Sequence, residues 1–138
     1  MNDKQTILLV EDDKIDIKSV KRAFDELHIT NPLNVTHNGE EALEYLKDGK
    51  NKKPGLILLD LRMPRMDGIE FLKVMKKEDE LKIIPVVVLT TSKEEEDKIE
   101  SFNLGIAGYM MKPVSYIDLV EVIRTIKMYW TLSESPYW

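Results

Sequence analysis

The polar residues that follow the short apolar runs of this chain are of types that carry phosphoryl chemistry. Glu11, Asp12 and Asp13 close the run Thr6–Val10, and Asp60 closes Leu56–Leu59. Thr90, Thr91 and Ser92 follow Pro85–Leu89, and Lys112 and Pro113 follow Ala107–Met111. Carboxylates gathered in a partly desolvated pocket repel one another, and the repulsion is relieved by a shifted pKa or by a bound cation. Hard divalent cations favour carboxylate oxygen, and Mg²⁺ keeps waters while taking one or two carboxylates plus a phosphate. The set contains neither His nor Cys, so zinc and copper lack their usual ligands here. A carboxylate can attack phosphorus to form an aspartyl phosphate. That reaction needs charge neutralisation on the equatorial oxygens and little covalent help. In such a scheme Asp60 is the nucleophile, Lys112 a mobile positive charge and Thr90 a hydrogen-bond donor.

Taken singly, each of these residues has a plainer reading. Asp13 suits a helix N-cap, and Thr90 or Ser92 could do the same. The charge run Lys93 to Lys98 suits a solvated helix face, and His28 and His37 stand isolated. The signal lies in joint placement, with each polar group at the end of a different strand-like run.

The elements that must position these groups are legible from periodicity. Thr6–Val10, Leu56–Leu59 and Pro85–Leu89 are short and apolar on both faces, whereas Leu33–Thr36 alternates as a half-buried edge strand does. Ala107–Met111 reads as a less regular strand. Ile17, Val20, Phe24 and Leu27 form one helical stripe over residues 13 to 27, opened by the cap pair Asp13 and Asp16. Asn38-Gly39 opens a short helix carrying Ala42, Leu43 and Leu46 and stopped near Gly49. Met63-Pro64 and Asp67-Gly68 punctuate a loop before the stripe Ile69, Leu72 and Met75. Ser92 with Glu95 predicts a capping box for a fourth helix. Ser115 with Asp118 predicts a fifth helix with Leu119, Val122, Ile123, Ile126 and Tyr129 inward. Five such β–α units predict an α/β fold with a parallel sheet covered on both faces, doubly wound by right-handed crossovers. Ligands of such sheets sit beyond the carboxyl ends of the strands, where all of these polar residues fall.

Composition narrows the class. A chain of 138 residues suits one domain. A net charge of −5 and the lack of a basic helix face argue against nucleic acid as a partner. With no cysteine, disulfides and thiol chemistry are excluded. No apolar run approaches the roughly 20 residues that span a bilayer, and the N-terminus lacks a signal-peptide pattern. The expected location is the cytoplasm, away from membranes.

The segments Leu9–Asp13, Leu58–Pro64, Met66–Gly68, Leu89–Ser92 and Gly108–Pro113 together resemble the response-regulator receiver domains of two-component signalling. The similarity runs over roughly residues 5 to 130. It implies a flavodoxin-like (βα)5 fold with strand order 2-1-3-4-5. It also implies roles. Asp60 is the phosphoacceptor, and Mg²⁺, or Mn²⁺ in its place, is held by Glu11, Asp12, Asp60 and the backbone carbonyl of Arg62. Thr90 is the switch hydroxyl, Lys112 pairs with the phosphoryl group, and Tyr109 is an aromatic switch that swings between outside and inside. The Lys112–Pro113 peptide bond is expected to be cis, and Arg62 and Ser92 stand where the family tunes phosphoryl lifetime. The phosphoryl donor would be a sensor histidine kinase or a phosphotransfer protein. The long first helix and the C-terminal end are similar to small receivers paired with phytochrome-type kinases.

Beyond Leu132 only Ser133–Trp138 remain, so a single receiver domain over 1–138, with a core of about 5–132 and no output domain, is the expectation. Such a protein is a switch that catalyses its own phosphotransfer and slow autodephosphorylation, and it acts through contacts. Tyr129, Trp130 and Trp138 suit either interface anchoring or packing on the chain's own surface. A homodimer through the helix 4–strand 5–helix 5 face or the C-terminal end is one expected use. Competing readings are a phosphorylation-independent interaction module, a flavin protein and a haloacid-type phosphatase. A flavin site wants a phosphate-cradling loop where Glu11-Asp12-Asp13 stand, and the phosphatase wants a second Asp where Arg62 stands.

Overall fold

The computed structural model describes residues 1–134; Trp138 lies outside the described residues. The apolar runs form strands because burial on both faces favours their branched side chains. β1 (Ile7–Val10), β3 (Leu56–Leu59) and β4 (Val86–Thr90) are buried at every position. β2 (Leu33–Thr36) and β5 (Gly108–Met111) are mostly half-buried, as edge strands are. All neighbours pair in parallel, in the order β2-β1-β3-β4-β5. The flavodoxin-like topology expected from the sequence is therefore present.

Alternation along the strands divides the core in two. Leu9, Leu58, Val87 and Leu89 face α1 (Lys14–Glu26) and α5 (Tyr116–Leu132). Val10, Ile57, Leu59 and Val88 face α2 (Gly39–Lys47) and α3 (Gly68–Met75). α4 (Glu95–Asn103) is more loosely seated: Ser101 is its buried residue, while Ile99 and Phe102 are exposed. None of the described helices is long and apolar enough to cross a membrane.

Register decides which polar residues become neighbours. Val10 pairs with Thr36 and with Leu59, so Glu11 and Asp60 leave adjacent strands at the same level. Thr90 pairs with Met111, so Lys112 emerges one step beyond it.

Helix starts follow the capping logic with one exception. The Asp13 side chain accepts hydrogen bonds from the Ile15 and Asp16 amides, Asn38 accepts from Glu41, and Ser115 accepts from Asp118. Asp67 and Glu70 form a reciprocal capping box that marks the start of α3 more sharply than the Asp67-Gly68 punctuation alone. At the end of α1, His28 takes φ 55° and the Ile29 amide donates to the Phe24 carbonyl at 2.9 Å. That closure gives the isolated histidine a backbone role. The exception is α4. The expected Ser92–Glu95 capping box does not form; the N-cap is Glu94, and it makes no side-chain cap. The Ser92 hydroxyl donates instead to Asp97 Oδ2 at 2.6 Å, which draws it along the helix rather than to the end.

The inward face of α5 also differs from the expectation. Leu119, Val120, Ile123, Ile126 and Trp130 are buried, while Val122 is half-buried and Tyr129 is 40% exposed. The steps 119, 123, 126 and 130 continue one helical stripe, and Trp130 completes it with its ring centroid 6.0 Å from that of Phe24. Trp130 is thus a core residue and not a free interface anchor.

Candidate functional site

Strand ends build the site. The Glu11 amide donates to the Thr36 carbonyl at 2.9 Å, and the Asp60 amide donates to the Val10 carbonyl at 3.0 Å. The sheet ladder thus continues one residue past β1 and β3 and fixes both carboxylates. Glu11, Asp12 and Asp60 each offer an oxygen, and these lie within 4.8 Å of one another. Glu11 and Asp60 are buried, while Asp12 is exposed.

The loop after β3 must turn back tightly to leave Asp60 facing this cluster. The Gly68 amide donates to the Leu61 carbonyl at 3.0 Å. A Cβ on Gly68 would stand 2.6 Å from the Asp60 carbonyl oxygen and 2.8 Å from Leu61 Cα, so the close approach requires glycine.

Lys112 enters from β5. Its Nζ donates to Glu11 Oε1 at 2.5 Å and to Asp16 Oδ2 at 2.8 Å, and it stands 3.8 Å from Asp60 Oδ2. The other oxygen, Asp60 Oδ1, is buried and has no hydrogen-bond partner. Burial pushes the Glu11 carboxyl up from 4.5 to about 7, against the pull of the Lys112 hydrogen bond, and the nearby Asp60 charge adds to the rise. Burial opposes the charge on Lys112, but its hydrogen bonds to Asp16 and Glu11 outweigh that and raise its pKa. Lys112 is therefore a firm ammonium among acids.

The β4–α4 side is knotted around Ser92. Thr90 is fully buried, and its Oγ1 accepts from the Ser92 amide at 3.2 Å. The Tyr109 hydroxyl donates to the Ser92 carbonyl at 3.0 Å, with its ring centroid 6.5 Å from that of Phe102. Arg62 points toward α4, where its Nη2 donates to Asp97 Oδ2 at 2.5 Å and to Ser92 Oγ at 3.4 Å.

The structure therefore gathers Glu11, Asp12, Asp60 and Lys112 in one cluster, and it ties Thr90 at the end of β4 and Tyr109 on β5 to Ser92 of the adjoining loop. Among the described residues no peptide bond is cis, so Lys112–Pro113 is trans and the expectation of a cis bond is corrected. Trans is the ordinary state of an X–Pro bond, by about 0.5–1 kcal/mol. Two participants escaped the sequence reading. Local pattern marks Asp16 only as half of a cap pair and Asp97 only as part of a solvated charge run. Their charged partners Lys112 and Arg62 lie 96 and 35 residues away, beyond any local pattern.

The oxygen-only donor set and the unpartnered Asp60 Oδ1 fit a hard cation. A buried carboxylate with one oxygen unpartnered and the other 3.8 Å from an ammonium also fits a nucleophile toward phosphorus.

Comparison with known proteins bears on this arrangement. The profile of the response regulator receiver domain matches residues 7–124. The probable methanogenesis regulatory protein FilR2 of Methanothrix harundinacea is 39% identical over 127 residues, covering 90% of this chain and 82% of its own length. The response regulator Rcp1 of Synechocystis is 38% identical over 133 residues, covering 94% and 90%. Among solved structures, the phosphorylated cyanobacterial phytochrome response regulator RcpA superposes with a TM-score of 0.90 at 34% identity, covering 96% of this chain and 99% of its own. The Mn²⁺-bound form of Rcp1 superposes with a TM-score of 0.88 at 36% identity and the same coverage.

Proposed function

This chain belongs to the response regulator receiver domains of two-component signalling, and from that premise we propose that Asp60 is its phosphoacceptor and that the chain works as a phosphorylation switch. The observation that carries the reading is the buried Asp60 carboxylate, with one oxygen unpartnered and the other 3.8 Å from the Lys112 ammonium.

Glu11, Asp12, Asp60 and the backbone carbonyl of Arg62 are the groups that would hold Mg²⁺, or Mn²⁺ in its place. When bound, the ion neutralises charge on the phosphoryl oxygens. The chain's own residues do the rest. The Asp60 carboxylate attacks the phosphorus of a phosphohistidine; the new P–O bond forms as the P–N bond breaks, and the imidazole leaves. Lys112 turns from Glu11 to the phosphoryl oxygens. The Thr90 hydroxyl, now accepting from the Ser92 amide, rotates to donate to them. Closure of the loop carries Ser92 and so pulls on Tyr109, whose hydroxyl is tied to the Ser92 carbonyl. The readout is the α4–β5–α5 face, where Ile99, Phe102 and Met111 are exposed.

The donor in this reading is a sensor histidine kinase or a phosphotransfer protein. The likeness to Rcp1 and RcpA favours a phytochrome-type kinase. The response is a contact with a protein target or a second copy, in the cytoplasm, not metabolic turnover.

The test is incubation with acetyl phosphate and Mg²⁺, read by intact mass. One added phosphoryl group, absent in Asp60→Asn, is the expected result. A wild-type chain that gains nothing, or a variant that still does, overturns the reading.

A further inference from the structure

The proposed reaction makes no use of the Arg62–Asp97 bridge across the mouth of the site. Arg62 stands two residues past Asp60 on the β3–α3 loop, and Asp97 lies in the first turn of α4. One oxygen, Asp97 Oδ2, accepts from Arg62 Nη2 at 2.5 Å and from Ser92 Oγ at 2.6 Å. The Asp97 side chain is 19% exposed and that of Arg62 56%. α4 has no side-chain cap of its own. Asp97 therefore ties the start of this helix both to the loop that follows Thr90 and to the loop that bears Asp60.

We infer that Asp97 is a positioning residue for the phosphoryl chemistry of Asp60: it holds the Arg62 guanidinium on α4 and keeps it off a phosphoryl group on Asp60. The inference rests on the phosphoacceptor reading of Asp60. A guanidinium binds carboxylates and phosphates through the same forked donors. A phosphoryl group on Asp60 brings roughly −1.5 to −2 charge to a point two residues from Arg62. Asp97 and the phosphoryl oxygens then compete for one cation. In hydrolysis a water oxygen attacks phosphorus, the bond from phosphorus to the Asp60 oxygen breaks, and the carboxylate leaves. The products are free Asp60 and inorganic phosphate, and the water's proton passes to solvent. Arg62 held on α4 leaves the outer face of phosphorus open to that water. Arg62 moved onto the phosphoryl oxygens covers it. Asp97 therefore shortens the life of the acyl phosphate, and a phosphoryl group that captures Arg62 loosens the start of α4.

The experiment loads the chain with acetyl phosphate and Mg²⁺, removes the donor and follows the loss of the acyl phosphate. Asp97→Asn keeps the size and a hydrogen-bond acceptor for Ser92 but removes the charge. It is expected to slow the loss roughly two- to fivefold, the range of a partly exposed ion pair. Asp97→Glu is expected to decay as the wild type does. Arg62→Ala and the double variant Arg62→Ala with Asp97→Asn are expected to decay at one common rate. That equality separates positioning from general loosening of α4, which would act with or without Arg62. Wild-type decay in Asp97→Asn overturns the inference, as does an Asp97→Asn effect that persists without Arg62. A wild-type chain that takes up no phosphoryl group removes the phosphoacceptor reading itself.

Discussion

The Lys112 ammonium stands 2.5 Å from Glu11 Oε1, so a cation supplied by the chain already lies inside its acidic cluster. Asp16 shares that ammonium from the first turn of α1, at 2.8 Å. The carboxylates are thus partly neutralised before any metal arrives, and a metal ion entering beside Glu11 must contend with a like charge.

Lys112→Ala removes that competitor. Divalent-cation affinity, measured by calorimetric titration with Mg²⁺, is expected to rise at least about tenfold, since about 1.4 kcal/mol is tenfold and unit charges a few ångströms apart interact by a few kcal/mol at protein surfaces. Phosphoryl uptake from acetyl phosphate is expected to fall in the same variant. Weaker Mg²⁺ binding would mean that Lys112 organises the acids instead of competing for them.

Glu11 sets a pH dependence with a definite sign. Its folded pKa is raised from 4.5 to about 7, so between these values the folded chain holds a proton that the unfolded chain has lost. Without divalent cation, this group's contribution to stability is greatest below 4.5 and declines as the pH rises to about 7. Urea unfolding across this range is expected to show the decline, and Glu11→Gln is expected to flatten it. Mg²⁺ held by Glu11, as proposed, would displace the same proton, so affinity is expected to weaken as the pH falls below about 7, with proton release detected by titration in buffers of different ionisation enthalpy. An unchanged slope in Glu11→Gln would assign the effect elsewhere.

Gly68→Ala places a methyl group 2.6 Å from the Asp60 carbonyl oxygen and 2.8 Å from Leu61 Cα, both backbone atoms. The β3–α3 loop must move, at a cost of about 1–3 kcal/mol in stability. Loss of Mg²⁺ affinity is expected to accompany it, because the shift displaces Asp60. A variant with wild-type denaturation midpoint and metal affinity would show that the loop tolerates the side chain.

Trp130 and Tyr129 should part company. Trp130 is 3% exposed and packs on Phe24, so Trp130→Ala is expected to cost about 3–5 kcal/mol. Tyr129 is 40% exposed, and Tyr129→Ala is expected to stay within about 0.5 kcal/mol. Chemical denaturation of the two variants distinguishes them, and equal costs would contradict the packing of α5.

Short-range pattern was enough for much of this molecule. The double-faced apolarity of β1, β3 and β4, the half-buried alternation of β2, and the caps at Asp13, Asn38 and Ser115 are local properties, readable within a few residues. The placement of Glu11, Asp12, Asp60, Thr90 and Lys112 at strand ends is equally local, and the rule that parallel sheets bind at their carboxyl edge turned that placement into a site. The choice between Tyr129 and Trp130 was not local, because both lie near the edge of one stripe and the shape of the space beside Phe24 decides which ring enters. The same holds for Asp16, Asp97 and Ser92. Their side chains could cap, solvate or bridge, and the outcome depends on partners brought near by strand register and helix packing. The sequence alone therefore determined which elements form and which chemical groups stand at their ends. Tertiary structure decided which of those groups meet, because a hydrogen bond between residues 96 or 101 apart exists only once the sheet has set the distance between them.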